Sequence, residues 1–173
     1  MLKLSDSFEN NNHLSFSRRM FKVTTNHNLP KVLHDEYIFL NRDNDLNPNY
    51  QIQITFNKNN LLENKNKICI LLDDDFKYLS DGDVLVLDSE TNRTRVLYRT
   101  NSPNNYILLT ERCNHYCLMC SQPPKNIDDS FLMEEAMELI DYLPNDLSNF
   151  GLTGGEPTLY GEKLVSLVNK FKI

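Results

Sequence analysis

The strongest constraint on the fold is a change of hydrophobic pattern near residue 103. Before it, short apolar or alternating runs separated by polar turns are typical of strands. After it, the pattern becomes strand, loop, helix, strand, loop and helix, which favours parallel strands connected by helices. The sequence therefore predicts a β-rich N-terminal domain over residues 1–103 and an α/β domain that starts at residue 104 and covers 104–173.

Composition and charge exclude several classes of protein. The 173 residues carry 18 Lys and Arg against 24 Asp and Glu, a formal net charge of −6, and no basic run exceeds Arg18-Arg19. Nucleic-acid binding is therefore not expected. Apolar stretches such as Ile68 to Leu72 fall far short of the roughly 18 residues of a membrane span. Since the N-terminus shows no secretory signal, we expect a cytoplasmic protein without a membrane partner.

Six short runs in the N-terminal region predict strands. In residues 51–56, alternation places Ile52, Ile54 and Phe56 on one face, as in a half-buried strand. Cys69 lies inside an apolar run and is predicted to be a small core residue. The predicted strands are Phe21 to Thr24, Tyr37 to Leu40, Gln51 to Phe56, Ile68 to Leu72, Val84 to Leu87 and Thr94 to Arg99.

The C-terminal region predicts two strand–helix pairs. A strand over Tyr106 to Thr110 is followed by a helix that Ser130 caps and Pro144 ends, and a strand over Asn149 to Thr153 precedes a second helix. Two parallel strands with two helices do not complete a sheet. We therefore expect the chain to be a fragment or one half of a split protein.

Three of the four cysteines, Cys113, Cys117 and Cys120, lie within eight residues of one another. In a reducing compartment this spacing indicates a metal before a disulfide. Three thiolates can hold three irons of a cubane cluster and leave the fourth iron without a protein ligand. A structural zinc site would normally need a fourth Cys or His, and His115 lies within the loop itself. Incidental buried thiols would need apolar neighbours, whereas the neighbours here are polar.

The cysteine spacing, its position after a strand and the downstream Thr153-Gly-Gly-Glu-Pro resemble the radical S-adenosylmethionine superfamily. The resemblance covers about residues 104–173. It implies a [4Fe-4S] cluster whose unique iron chelates the amino and carboxylate groups of S-adenosylmethionine. By this resemblance, the cluster ligands are Cys113, Cys117 and Cys120.

The same resemblance implies that the Gly-Gly-Glu-Pro segment contacts S-adenosylmethionine through Gly154, Gly155, Glu156 and Pro157. Glycines let a backbone approach a ligand closely, and a carboxylate can accept a hydrogen bond from the methionyl ammonium. A plain glycine turn between strand and helix is the alternative. Met119 stands where an aromatic residue is common, and backbone contact with the adenine would survive this change. No catalytic residue is assigned.

The superfamily implies a fold and a reaction. The expected fold class is α/β, comprising the first two βα units of a partial (β/α) barrel after a small β-rich domain, with the site at the C-terminal ends of the strands. Cleavage of S-adenosylmethionine by the reduced cluster would give a 5′-deoxyadenosyl radical that abstracts hydrogen. The implied partners are an electron donor such as a flavodoxin or ferredoxin and a second chain that completes the barrel. We therefore expect no turnover by this chain alone.

Within the superfamily, Leu108 to Lys125 looks most like the His-Xaa-Ser system maturases, together with the upstream region that ends at Val96 to Arg99. This resemblance implies that a peptide or small protein with His-Xaa-Ser repeats is the substrate. Two alternatives belong to other classes. One is a non-catalytic iron-sulfur protein that transfers electrons or is a remnant, and the other is a module that binds peptides at an exposed strand edge.

Overall fold

The computed structural model describes residues 2–42, 46–63, 66–115, 117–120, 123–147 and 149–171. The chain divides into two compact units, Met1–Ser102 and Pro103–Ile173. Each unit has its own sheet. The division into a domain over residues 1–103 and a domain over 104–173 stays a prediction.

The N-terminal unit contains one mixed sheet of eight strands, whose order is β1-β8-β7-β3-β4-β5-β6-β2. The central strands β3, β4, β5 and β6 pair in parallel, and the remaining pairs are antiparallel. The elements of this unit are β1 (Ser5–Ser7), β2 (Glu9–Asn10), β3 (Arg18–Thr24), β4 (Tyr37–Leu40), β5 (Ile52–Thr55), α1 (Asn59–Glu63), β6 (Ile68–Leu71), β7 (Val84–Asp88) and β8 (Arg93–Tyr98).

The two edges of this sheet are connected by consecutive residues. Strands β1 and β2 are separated by Phe8 alone, yet β1 pairs with β8 at one edge and β2 pairs with β6 at the other. The side chain of Phe8 is only 5% exposed, and its backbone N–H donates to the carbonyl of Asn92 at 2.9 Å. One short segment therefore nearly closes the sheet, which leaves few unpaired strand edges.

The core of the N-terminal unit fills the inside of this sheet. Cys69 is buried, which confirms its predicted place in the core. The half-buried pattern predicted for β5 is wrong, because Gln53 and Thr55 on its other face are also buried. The Gln53 amide accepts from Asn47 N–H and donates to the carbonyls of Asn47 and Tyr50, and these bonds offset the cost of burying it.

The C-terminal unit contains a two-stranded parallel sheet and two helices. Its elements are β9 (Tyr106–Leu108), α2 (Ser130–Leu139), β10 (Gly151–Thr153) and α3 (Glu162–Lys170). In the register of the sheet, Leu108 lies beside Thr153, so both strands end at the same level. No helix in the described ranges combines the length and apolar character of a membrane span.

The expected fold class, the first two βα units of a partial barrel after a small β-rich domain, is wrong. The described residues form ten strands and only three α-helices, and the main feature is the nearly closed eight-stranded mixed sheet. No strand was predicted before residue 20, so the N-terminal region was expected to be only a small β-rich domain. The two-residue and three-residue strands that close the sheet are too short to show a periodic pattern.

Because Phe8 connects the two sheet edges from inside the core, we predict that Phe8→Ala lowers the free energy of unfolding by about 3–5 kcal/mol. Urea unfolding followed by circular dichroism measures this change. The control is Leu4→Ala in the same segment, because Leu4 is 46% exposed. The control should cost less than about 1 kcal/mol. Equal losses in the two variants would contradict the role of Phe8.

Candidate metal and cofactor site

The cysteine loop begins where β9 ends. The chain leaves β9 at Leu108, passes through the buried Thr110 and reaches Cys113. Cys113 is half-buried, whereas Cys117 and Cys120 are exposed, and none of the described cysteines forms a disulfide. The Sγ atom of Cys113 lies 3.3 Å from the backbone N of His115, which donates to it. Ser121 and Gln122 of the motif lie outside the described residues.

All three cysteines line one pocket of about 460 Å³. The same pocket is lined by Gly154, Gly155 and Glu156, which follow β10. The structure thus brings together six of the eight residues that the sequence assigns to cluster and cofactor. The pocket lies at the C-terminal ends of β9 and β10, because parallel strands that end at the same level bring their following loops together.

Two of the predicted cofactor residues are not among those that line the pocket. Met119 is 97% exposed. Pro157 is the first residue of a 3₁₀ turn over Pro157–Tyr160, where its fixed φ and missing N–H are tolerated. Their assignment to the cofactor stays a prediction.

Gly154 and Gly155 are required by the close approach of two backbones. Gly155 N–H donates to the carbonyl of Thr110 at 2.8 Å, and the next N–H donates to the carbonyl of Arg112 at 2.9 Å. A Cβ atom on Gly154 would lie 2.5 Å from the Thr110 oxygen, and one on Gly155 would lie 2.2 Å from the Arg112 oxygen. The sequence predicts that these glycines let the backbone approach a ligand closely. The structure gives them a role in packing the cysteine loop.

Glu156 presents an ionised carboxylate at the pocket. Its Oε1 accepts from the hydroxyl of Thr158 at 2.6 Å and from the backbone N–H of the same residue at 3.0 Å, which caps the 3₁₀ turn. These hydrogen bonds, and beyond them the charge of His115, hold the pKa of Glu156 below its usual value. The Nε2 atom of His115 lies 3.4 Å from Oε2 of Glu156.

Asp129 holds the segment that enters the cysteine loop, and no role was assigned to it from the sequence. Its carboxylate is 1% exposed and accepts from the Thr110 hydroxyl at 2.9 Å, Glu111 N–H at 2.5 Å and Arg112 Nε at 3.1 Å. Burial acts to raise the pKa of Asp129, but these hydrogen bonds and the Arg112 charge outweigh it, so the pKa lies below its usual value. The sequence contains one signal for a further role of this residue. Two adjacent carboxylates, Asp128 and Asp129, precede α2, whereas one carboxylate is enough to cap a helix.

The chemistry of the donor set fits an iron-sulfur cluster with three cysteine ligands, since three thiols line one pocket. No group of three His, Cys, Asp or Glu side chains within the described ranges is close enough to hold a metal ion. The thiols of Cys113, Cys117 and Cys120 would therefore have to converge on binding. Zinc gains no support from this arrangement, because a fourth Cys or His ligand is not assembled among the described residues.

Comparison with family models gives one match. Residues 107–172 match the model of the Radical SAM superfamily. The matched segment contains β9, the three cysteines and the Gly-Gly-Glu-Pro segment, so the resemblance to this superfamily is confirmed over these residues. Comparisons with curated proteins and with solved structures gave no match. The finer resemblance to the His-Xaa-Ser maturases stays a prediction.

A clash with the cysteine loop should make Gly155→Ala far more disruptive than an alanine elsewhere in the same region. We predict that the free energy of unfolding falls by about 3 kcal/mol, because the Arg112 carbonyl must move. The control is Lys163→Ala, at an exposed position of α3 in the same region. The control should change the free energy of unfolding by less than about 0.5 kcal/mol in urea unfolding. A loss in Lys163→Ala as large as that in Gly155→Ala would contradict this explanation.

The lowered pKa of Asp129 predicts how stability depends on pH. A carboxyl group whose pKa is lower in the folded state stabilises the fold above its unfolded pKa of about 3.9, and this contribution disappears as pH falls through the folded pKa. The difference in unfolding free energy between the wild type and Asp129→Asn should be constant from about pH 5 to 7 and narrow below about pH 4. Urea unfolding across this range measures it. A difference that persists unchanged at pH 3 would contradict the prediction.

Proposed function

We propose that this chain is a radical S-adenosylmethionine enzyme that modifies a peptide or small protein. The observation that carries the proposal is the single pocket lined by Cys113, Cys117, Cys120 and Gly154 to Glu156, all within the segment that matches the superfamily model. Proteins of this superfamily generally use a [4Fe-4S] cluster and S-adenosylmethionine.

The three cysteine thiolates would hold the cluster and leave one iron for an external ligand. When bound and reduced, such a cluster supplies the electron that cleaves S-adenosylmethionine to methionine and a 5′-deoxyadenosyl radical. The chain would orient the cofactor and shield the pocket. A reducing compartment such as the cytoplasm, and an electron donor such as a flavodoxin or ferredoxin, suit this chemistry.

The charges around the pocket support a zwitterionic ligand. Glu111 pairs with Lys125 at 2.6 Å, and Glu156 lies 3.4 Å from His115, so acidic and basic groups both line the pocket. The methionyl part of S-adenosylmethionine carries an ammonium and a carboxylate. We propose that the ionised Glu156 attracts the ammonium and that Lys125 attracts the carboxylate, since charge-assisted hydrogen bonds are the stronger kind.

The cysteines provide the main test. After anaerobic reconstitution with iron and sulfide, the wild type should hold about four irons per chain. The reduced protein should show an EPR signal that changes when S-adenosylmethionine is added. Replacement of Cys113, Cys117 and Cys120 by alanine should abolish both results. Cys69→Ala is the matched control, because this thiol is buried in the N-terminal sheet, and it should bind iron as the wild type does.

Two outcomes would contradict the proposal. Equal iron content in the wild type and the triple variant would exclude the three thiols as ligands. A cluster whose EPR signal is unaffected by S-adenosylmethionine would favour an electron-transfer protein instead.

The peptide substrate rests on the resemblance of Leu108 to Lys125 to the His-Xaa-Ser maturases. We predict that a fluorescein-labelled peptide with His-Xaa-Ser repeats binds the wild type, as measured by fluorescence anisotropy, and that a scrambled peptide binds at least about tenfold more weakly, a difference of about 1.4 kcal/mol. Equal binding of the two peptides would contradict this substrate class.

A further inference from the structure

The buried carboxylate of Asp129 is unusual for its position in the fold. Asp129 is the residue directly before α2. At this position an Asp side chain normally accepts a hydrogen bond from a backbone N–H in the first turn of the helix. Asp129 makes no such capping bond. Asp128 instead accepts from Ser130 N–H at 3.1 Å, so the helix start is served by the neighbouring carboxylate.

The donors to Asp129 come from the segment that enters the cysteine loop. Thr110, Glu111 and Arg112 each donate to it, and all three directly precede Cys113. The Thr110 hydroxyl also accepts from Arg112 N–H at 3.0 Å. Because a buried carboxylate is costly unless it is fully hydrogen-bonded, this arrangement strongly favours one conformation of the segment.

The same contacts reach the turn that follows the glycines. The guanidinium of Arg112 lies 5.3 Å from the ring centroid of Tyr160, a residue of the 3₁₀ turn after Gly-Gly-Glu-Pro. A Cβ on Gly155 would lie 3.0 Å from the Cβ of Cys113, so the first cysteine is packed against the glycine segment. Cys117 and Cys120 are exposed by contrast.

We propose that Asp129 is a positioning residue, which holds the Thr110 to Arg112 segment so that Cys113 is already in place before a cluster binds. Cys113 is then the anchoring ligand, and Cys117 and Cys120 close around the cluster afterwards. The inference rests on the proposed function for the identity of the cluster. The positioning of the segment itself is a property of the protein without a cluster.

The experiment compares Asp129→Asn with the matched control Asp128→Asn, which makes the same charge change one residue away. In the protein without iron, amide hydrogen exchange of Glu111, whose N–H donates to the carboxylate, should become at least about tenfold faster in Asp129→Asn. Exchange of Arg112 should also accelerate, because its N–H donates to the Thr110 hydroxyl that the carboxylate holds in place. The control should stay within about twofold of the wild type. After reconstitution, Asp129→Asn should hold less iron, and the EPR signal of its reduced cluster should shift or broaden.

If Asp129→Asn fails to fold, Arg112→Lys replaces it, because Arg112 is partly exposed and loses only the Nε hydrogen bond and the contact with Tyr160. It should accelerate exchange in the same residues. Unchanged exchange together with an unchanged EPR signal in either folded variant would overturn the role of Asp129 while the proposed function stands. A wild type that binds no iron would overturn the proposed function, and the exchange rates would then decide on Asp129 alone.

Discussion

The parallel pairing of β9 and β10 is the constraint on which the candidate site depends. Because Leu108 and Thr153 lie side by side, the chain leaves both strands at the same edge of the sheet. The hydrogen bonds continue past the strand ends, from Gly155 N–H to the Thr110 carbonyl and from Glu156 N–H to the Arg112 carbonyl. The cysteine loop and the glycine segment are thereby held against each other, and a pocket forms where they diverge.

Such close contact leaves no room for side chains between the two backbones, which is why glycine is needed at positions 154 and 155. In this close contact, the polar groups of the Thr110 to Arg112 segment also need a hydrogen-bond acceptor. Asp129 provides that acceptor from the start of α2 and remains ionised in a buried place. The site therefore combines a rigid base, made of backbone contacts and one carboxylate, with two exposed thiols at Cys117 and Cys120.

Much of the local structure could be predicted from periodicity. The predicted strands from Phe21 to Arg99 correspond to β3 to β8 within a few residues. The helix is where it was predicted, but Ser130 is its first residue and not its cap, because Asp129 holds the N-cap position. The fold class could not be predicted, because it depends on β1 and β2, which have three and two residues. Strands of that length have no recognisable pattern, and their role comes from the edges with which they pair. The burial of Gln53 was also not predicted. Its hydrogen-bond partner Asn47 lies in the loop before β5, and a loop has no periodic pattern that would indicate this contact.

For the site, the sequence alone determined the donor chemistry: three thiols at a fixed spacing after a strand, a Gly-Gly-Glu-Pro segment after the next strand, and a match to the Radical SAM superfamily over residues 107–172. These are local properties, and short-range spacing is enough to recognise them. Only the tertiary structure decided that six of these residues share one pocket, that the glycines pack against the cysteine loop and that Asp129 holds the approach to Cys113. The reason is that the contacts of Asp129 and of the glycines with the cysteine segment join residues 17 or more positions apart, and their approach depends on strand register and burial.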